Sequence, residues 1–279
     1  MEGMNNVVYI ILDSCRYDTF CKAKTTNISR LGAVERRYTF ASWTLPSHSA
    51  FLMGISPHKN PRGVFASEVY KKDFLNWATR TGIDGVTFGD FVPQLSLPAF
   101  LKEKGFETNA LFSMPVLNPM TILNNHFDRY ELMDRHDDFN SMLGMLKFRK
   151  DKPSFYILNV GETHYPFTIA GDGSFSAPQL HGDKGIFRHS SDGGLNIETA
   201  APDQLFDLDA LGKLHQRQVH CVEHIDRLFT KLYDVCPPNT HIVVTADHGE
   251  LFGEAGYFGH GPVFHEKVFE VFFVEGKRP

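Results

Sequence analysis

Acids and imidazoles recur in this chain at one kind of place, directly after short apolar runs. Val7-Val8-Tyr9-Ile10-Ile11-Leu12 ends at Asp13, Ile242-Val243-Val244-Thr245 leads through Ala246 to Asp247-His248, and Phe155-Tyr156-Ile157-Leu158-Asn159-Val160 opens onto Gly161-Glu162-Thr163-His164. Thr44 stands in Ser42-Trp43-Thr44-Leu45-Pro46-Ser47-His48, and His260 and His265 follow near the C-terminus. Two carboxylates with an imidazole suit a hard or borderline divalent cation such as Zn²⁺, Mn²⁺ or Mg²⁺, and the lack of grouped thiolates disfavours a soft metal. A threonine hydroxyl bound to that cation loses its proton more readily and can attack an electrophile. The plainer alternatives are Asp247 as a helix cap beside a surface His248, Thr44 and Ser47 as caps, and His164 packed in a loop. Ser47-His48 does not read as a serine hydrolase pair, because adjacent side chains rarely aim at each other and no Gly-x-Ser-x-Gly elbow is present.

These groups meet only if the apolar runs are neighbouring strands. The runs after Asn6, after Pro153 and before Ala246 lack polar alternation, the pattern of strands buried on both faces. Tyr38-Thr39-Phe40-Ala41 and Phe106 to Phe112 are further strands, and Val268 to Val274 is expected to close the sheet. Helices are predicted over Thr25–Leu31, from Pro46-Ser47 towards Gly54, over Ser96–Lys104 stopped by Gly105, over Asn140–Phe148, and over Asp209–Tyr233 with Val222, Ile225, Phe229 and Leu232 on one face. Strands alternating with helices imply an α/β fold, a mainly parallel central sheet with helices on both faces. Open sheets of that kind bind ligands at the carboxyl ends of their strands, where Asp13, His164 and Asp247 fall.

The 279 residues suggest a single domain with a large core. Gly, Ser, Asp and His dominate 168–202, which reads as a flexible lid or insertion. A net charge of −5 argues against binding nucleic acid through bulk positive charge. The first apolar run is broken by Asp13 after six residues and has no basic segment ahead of it, so it reads as a strand and not as a signal peptide or membrane span. Four cysteines without CxxC spacing point to free thiols and a cytoplasmic setting.

Three motifs in order, Val-Tyr-Ile-Ile-Leu-Asp13-Ser-Cys-Arg16-Tyr-Asp18, Trp43-Thr44-Leu-Pro46-Ser47-His48 and Thr245-Ala-Asp247-His248-Gly249-Glu250, resemble the alkaline phosphatase superfamily, in particular its sulfatase-like branch. Leu101 to Thr108, the helix around Val222 to Asp226, and Gly259-His260-Gly261 with His265-Glu266 are similar to further parts of that family, so the resemblance covers nearly the whole chain. It implies that Asp13, Thr44, Asp247 and His248 bind one divalent metal, with a second metal as an open alternative. It also implies that Thr44 is the nucleophile, forming a covalent intermediate that water cleaves. His48 and His164 are expected to take part in catalysis, and Arg16, His260 and His265 to bind substrate. Arg16 has the alternative of holding Asp18.

Three departures from the family pattern matter. Sulfatases of this branch carry Cys or Ser at the nucleophile because that residue becomes formylglycine, and Thr44 cannot form that aldehyde. Ser14 stands where many sulfatases have another ligating Asp, and His48 where they have Arg. For a second metal, Asn159 and Glu162 are the nearest polar candidates, and neither is the expected Asp. The resemblance thus implies a metal-dependent hydrolase of small-molecule phosphate esters, monoester or diester, acting through phospho-threonine. The alternatives are sulfatase-like or phosphotransferase chemistry on the same site, or a non-catalytic relative that only binds. Sequence leaves the oligomeric state open.

Overall fold

The protein is described from a computed structural model over residues 3–59, 75–91, 94–177, 207–261 and 263–279. Its central strand, β1 (Asn6–Leu12), is buried at every position. Alternate residues divide between two cores. Val8, Ile10 and Leu12 pack with α1 (Tyr17–Lys22), α4 (Phe139–Gly144) and α5 (Leu208–Val235). Val7, Tyr9 and Ile11 pack with α2 (Thr44–Leu52), α3 (Leu97–Glu103) and the helical residues 75–81. A strand covered on both faces needs an apolar side chain at every step, and each one fully buried contributes roughly 1.5–3 kcal/mol.

The other strands are β2 (Glu35–Tyr38), β3 (Glu107–Phe112), β4 (Arg129–Leu132), β5 (Ser154–Val160), β6 (Thr240–Thr245) and β9 (Glu270–Lys277), with a separate hairpin of β7 (Leu251–Phe252) and β8 (Phe258–Gly259). The seven-stranded sheet runs β2-β9-β6-β1-β5-β3-β4. β6, β1, β5, β3 and β4 are mutually parallel, whereas β9 is antiparallel to both β6 and β2. The predicted α/β architecture, a mainly parallel sheet between two layers of helices, is the one observed.

Differences from the sequence reading have local causes. Thr25–Leu31 is not an α-helix and holds only a 3₁₀ turn at Ile28–Arg30. Asp226 on α5 accepts the backbone N–H groups of Asn27 and Ile28, at 3.0 and 2.8 Å, and this competes with helical bonding there. The strand expected at Tyr38–Ala41 lies earlier, at Glu35–Tyr38, paired with β9. The closing strand starts at Glu270 because residues Glu266–Phe269 form a short helix, α6, capped by His265 Nδ1 accepting from Lys267 N at 3.1 Å. The expected lid is described only over its first ten residues, 168–177. There Ile169, Phe175 and Ala177 pack against Ala210, Leu211 and Leu214 at the start of α5, and Asp172 pairs with Arg217 at 2.7 Å. The remainder, 178–202, lies outside the described residues. Among the described residues no helix is long and apolar enough to cross a membrane.

One glycine fixes the turn after β6. A Cβ on Gly249 would stand 1.9 Å from the carbonyl oxygen of Lys267, where Gly249 N also donates to Val268 O at 2.7 Å. We expect Gly249→Ala to force β6 and α6 apart and to lower stability by about 3 kcal/mol or more. Urea denaturation of the two proteins measures this, and an unchanged midpoint would overturn the reading of that contact.

Candidate metal centre and nucleophile

The register of the sheet brings the acids together. Ile11 of β1 pairs with Thr245 of β6 on one side and with Asn159 of β5 on the other. Asp13 and Asp247 each stand two residues beyond their paired position, and two residues is the period with which side chains return to one side of a strand. Asn159 Nδ2 donates to Asp13 Oδ2 at 2.7 Å from the adjoining strand. Ser14 turns the chain with φ 58°, and its backbone N–H donates to Asp247 Oδ1 at 3.1 Å, alongside that of His248 at 2.9 Å. A Ser in the left-handed region is strained, and the anchoring of its N–H on Asp247 accounts for it.

Thr44 is the first residue of α2, preceded by Trp43 in extended conformation. Its Oγ1 lies 3.5 Å from Asp13 Oδ2 and 3.3 Å from His248 Nε2. His248 Nδ1 is 2.9 Å from the Gly249 carbonyl, so Nδ1 carries the proton and Nε2 presents a lone pair. That Nε2 is 3.4 Å from Asp247 Oδ2 and 3.9 Å from Asp13 Oδ1. One ligand atom from each of Asp13, Asp247 and His248 lies within 4.8 Å of the others, and all three side chains are buried. They form a candidate metal site.

The electrostatics of this cluster favour a cation. Burial pushes both carboxyls up, but for Asp13 the imidazoles of His164, His248 and His48 and the Asn159 amide outweigh it and hold the group below its ordinary value. Asp247 is raised well above the carboxylate range by burial and by the negative charge of Asp13. Its Oδ2 is buried with no hydrogen-bond partner among the described residues. Burial and the neighbouring His260 keep His248 well below its usual value, hence a neutral ligand. Two buried acids that cannot both ionise, an Asp247 oxygen without a hydrogen-bond partner among the described residues and a neutral imidazole with a free lone pair fit a divalent ion, which would ionise both acids and take up that oxygen.

The His260 ring lies 4.2 Å from that of His248 between centres, tilted by 38°, and His164 lies 5.4 Å from His260. Burial opposes protonation of His260, but the Glu250 carboxylate 3.1 Å from its Nδ1 reverses this, and its pKa is raised. His164 Nδ1 faces the Tyr165 carbonyl at 2.7 Å. His48 is buried beside Thr44, its Nδ1 2.8 Å from the Thr44 carbonyl and 3.7 Å from Asp247 Oδ2; burial lowers its pKa to about 4. Two residues sit away from the cluster. Arg16 is engaged with Asp18 through Nε and Nη2, both at 2.8 Å, and with Glu254 at 2.6 Å, while His265 caps α6. Glu162 also has other work: its Oε1 accepts the Phe139 N–H at the start of α4, 2.7 Å away, and burial pushes its pKa to about 8.

Sequence reasoning gave Asn159 no part in the first site and missed Gln218 altogether. Gln218, buried on α5, donates through Nε2 to the carbonyls of Ser14 and Thr163, both at 2.9 Å, and so ties two strand-end loops to one helix. A glutamine on a helix carries no sequence signal for such a role.

This sequence matches no protein-family model and no curated protein. Solved structures do match. A protein of the alkaline phosphatase superfamily from Vibrio parahaemolyticus superposes with a TM-score of 0.51 at 13% identity, over 100% of this chain and 62% of the other. The fold is that of the alkaline phosphatase superfamily. The zinc complex of the C-terminal periplasmic domain of EptC from Escherichia coli has a TM-score of 0.54 at 12% identity, over 100% of this chain and 74% of that one. The phosphonate monoester hydrolase of Agrobacterium radiobacter superposes with a TM-score of 0.58 at 15% identity, over 98% of this chain and 68% of that one.

A divalent ion is expected to stabilise the fold by about 2.7 kcal/mol at roughly 100 times its Kd, an increment that Asp247→Ala should remove. Thermal denaturation with added Zn²⁺ or Mn²⁺ and with chelator checks this, and equal shifts in both proteins would rule the site out. For Glu162 the sign follows from its raised pKa. Below the ordinary value of 4.5 both folded and unfolded states are protonated, and between there and about 8 only the unfolded state releases its proton, so stability falls as pH rises. Glu162→Gln should flatten that fall; urea midpoints at about pH 5 and about pH 8 that change in parallel for both proteins would refute it.

Proposed function

We propose that the protein is a metal-dependent hydrolase of small-molecule phosphate esters that acts through a covalent phospho-threonine on Thr44. The observation that carries this reading is the position of Thr44 Oγ1, 3.3 Å from His248 Nε2 and 3.5 Å from Asp13 Oδ2 in a buried cluster built for a cation. When bound, a divalent cation lowers the pKa of the threonine hydroxyl and offsets charge on the transferred group. Zinc, manganese and magnesium all suit the donor set of two carboxylates, an imidazole and a hydroxyl.

The chain's own groups then divide the work. Thr44 Oγ1 attacks phosphorus as the bond to the ester oxygen breaks, giving phospho-threonine and the free alcohol; water cleaves the new bond and returns the hydroxyl. The N-terminus of α2, where Thr44 sits, supplies unpaired backbone N–H groups that favour an anion. His260, whose pKa Glu250 raises, is placed to donate to a phosphoryl oxygen or to the departing alkoxide, with His164 beside it. His48 is neutral at pH 7 and holds the first turn of α2 through the Thr44 carbonyl. Threonine cannot be converted to formylglycine, which sets sulfate ester hydrolysis by that route aside. A cytoplasmic setting belongs to this reading, supported by four free cysteines, although the EptC domain is a periplasmic one.

Metal analysis and assays on aryl phosphate monoesters, diesters, phosphonates and sulfates test the proposal. Thr44→Ala should lower kcat by at least about a thousandfold, and Thr44→Ser should keep measurable turnover. Equal turnover by wild type and Thr44→Ala would sink the nucleophile assignment. No bound metal and no turnover on any ester would leave a protein that only binds. Products bearing the phosphoryl group on an added alcohol would make it a transferase.

A further inference from the structure

Two short loops carry strand-end groups of the candidate site. Asp13-Ser14 follows β1, and Gly161 to His164 follows β5. They touch through Thr163 Oγ1, which donates to the Asp13 carbonyl at 2.7 Å. One side chain from outside the sheet then holds both. Gln218 of α5, fully buried, donates through Nε2 to Ser14 O and to Thr163 O, both at 2.9 Å. Ser14 is thereby gripped on both sides, since its N–H donates to Asp247 Oδ1 at 3.1 Å while its carbonyl accepts from Gln218. Its φ of 58° is costly for a serine, and loss of either hold would let the turn after Asp13 relax.

The amide can be seated in one sense only. Carbonyl oxygens accept and never donate, so the nitrogen end of Gln218 must face Ser14 and Thr163. Its oxygen end meets Thr19 on α1, buried as completely, whose hydroxyl donates to Oε1 at 2.8 Å. With its one proton spent there, Thr19 Oγ1 accepts from His215 Nε2 at 2.9 Å. His215, three residues before Gln218 on α5, is neutral at pH 7, because burial and the charges of Arg16 and Lys22 lower its pKa to about 4. Its ring lies 4.7 Å from that of Phe252 in β7 and nearly parallel to it, at 11°. Turning the amide over would set its oxygen against two carbonyls. The run from His215 through Thr19 to Gln218 therefore has one arrangement of its protons, and that arrangement aims two donors at the site loops.

We infer that Gln218 is a positioning residue for the candidate site: its amide, oriented by Thr19, fixes the loop that carries Asp13 against the loop that carries His164. It thereby sets both the grip on the cation and the place of the His164 imidazole. Apolar packing of α5 holds the helix against the sheet, but hydrogen bonds, which weaken steeply with distance and angle, decide where the loops come to rest. The inference rests on the metal reading above for the ion, whereas the placement of His164 is testable without one.

The test is Gln218→Met, which keeps the length of the side chain and removes the amide. In the ion-free protein the ring signals of His164, read by NMR of labelled imidazoles, should move in this variant while those of His241, at the other end of β6, stay in place. The Kd for Mn²⁺, followed by electron paramagnetic resonance, should rise about tenfold or more in a protein that urea denaturation shows to be folded. Thr19→Val, which removes the hydroxyl that orients the amide, should shift both readouts in the same direction, and Thr19→Ser should restore the wild-type values. Should Gln218→Met not fold, Thr19→Val against Thr19→Ser carries the same two measurements. A lowered urea midpoint with unmoved His164 signals and an unchanged Kd would make Gln218 a support of the fold alone and overturn the inference. A wild-type protein that takes up no Mn²⁺ would refute the metal reading, and the His164 signals would then decide the inference by themselves.

Discussion

Two carboxyl groups, Asp13 and Asp247, are buried side by side at the ends of adjacent strands, and much of the molecule is arranged around that fact. Like charges so placed cannot both ionise in a dry interior, so the cluster is consistent only with a shared proton or a bound cation. The surroundings favour the cation. Asp13 is held below its ordinary pKa, His248 is held neutral with its lone pair inward, and Asp247 keeps one oxygen without a hydrogen-bond partner among the described residues.

Holding two acids in this arrangement requires rigid supports, and they come from distant parts of the chain. Thr163 Oγ1 donates to the Asp13 carbonyl at 2.7 Å, Thr39 Oγ1 to the Asp247 carbonyl at 2.6 Å, and Gln218 bridges the loops after β1 and β5. Each of these bonds is buried, where an unmade one would cost more than a made one contributes. The polar network is therefore what keeps strand ends in fixed geometry once the apolar cores have set the sheet. Packing above and below the sheet supplies most of the stability, and the network supplies the placement.

Much of this was legible in the sequence, and the reason is periodicity. β1, β5 and β6 lie between two helical layers and must be apolar at every position, so Val7 to Leu12, Phe155 to Val160 and Ile242 to Thr245 announced themselves, and the acids that end two of them could be found by reading to the first charge. The amphipathic face of α5 was visible in the same way through Val222, Ile225, Phe229 and Leu232. Short elements failed the same test. Thr25–Leu31 looked helical by spacing, yet Asp226, some 200 residues away in the chain, claims its backbone N–H groups.

What the sequence determined by itself was the inventory: a parallel-type sheet, acids at strand ends, and a threonine at a helix start. These are local properties, carried by residue type and by spacings of two and of three or four. Tertiary structure alone decided which of the polar residues face one another. It set Arg16 on Asp18 and Glu254, made His265 a helix cap, turned Asn159 towards Asp13 and enlisted Gln218 from the far helix. The physical reason is that a hydrogen bond depends on distances of about 3 Å between groups that the chain separates by tens to hundreds of residues, and only the register of the sheet and the packing of its helices bring them that close.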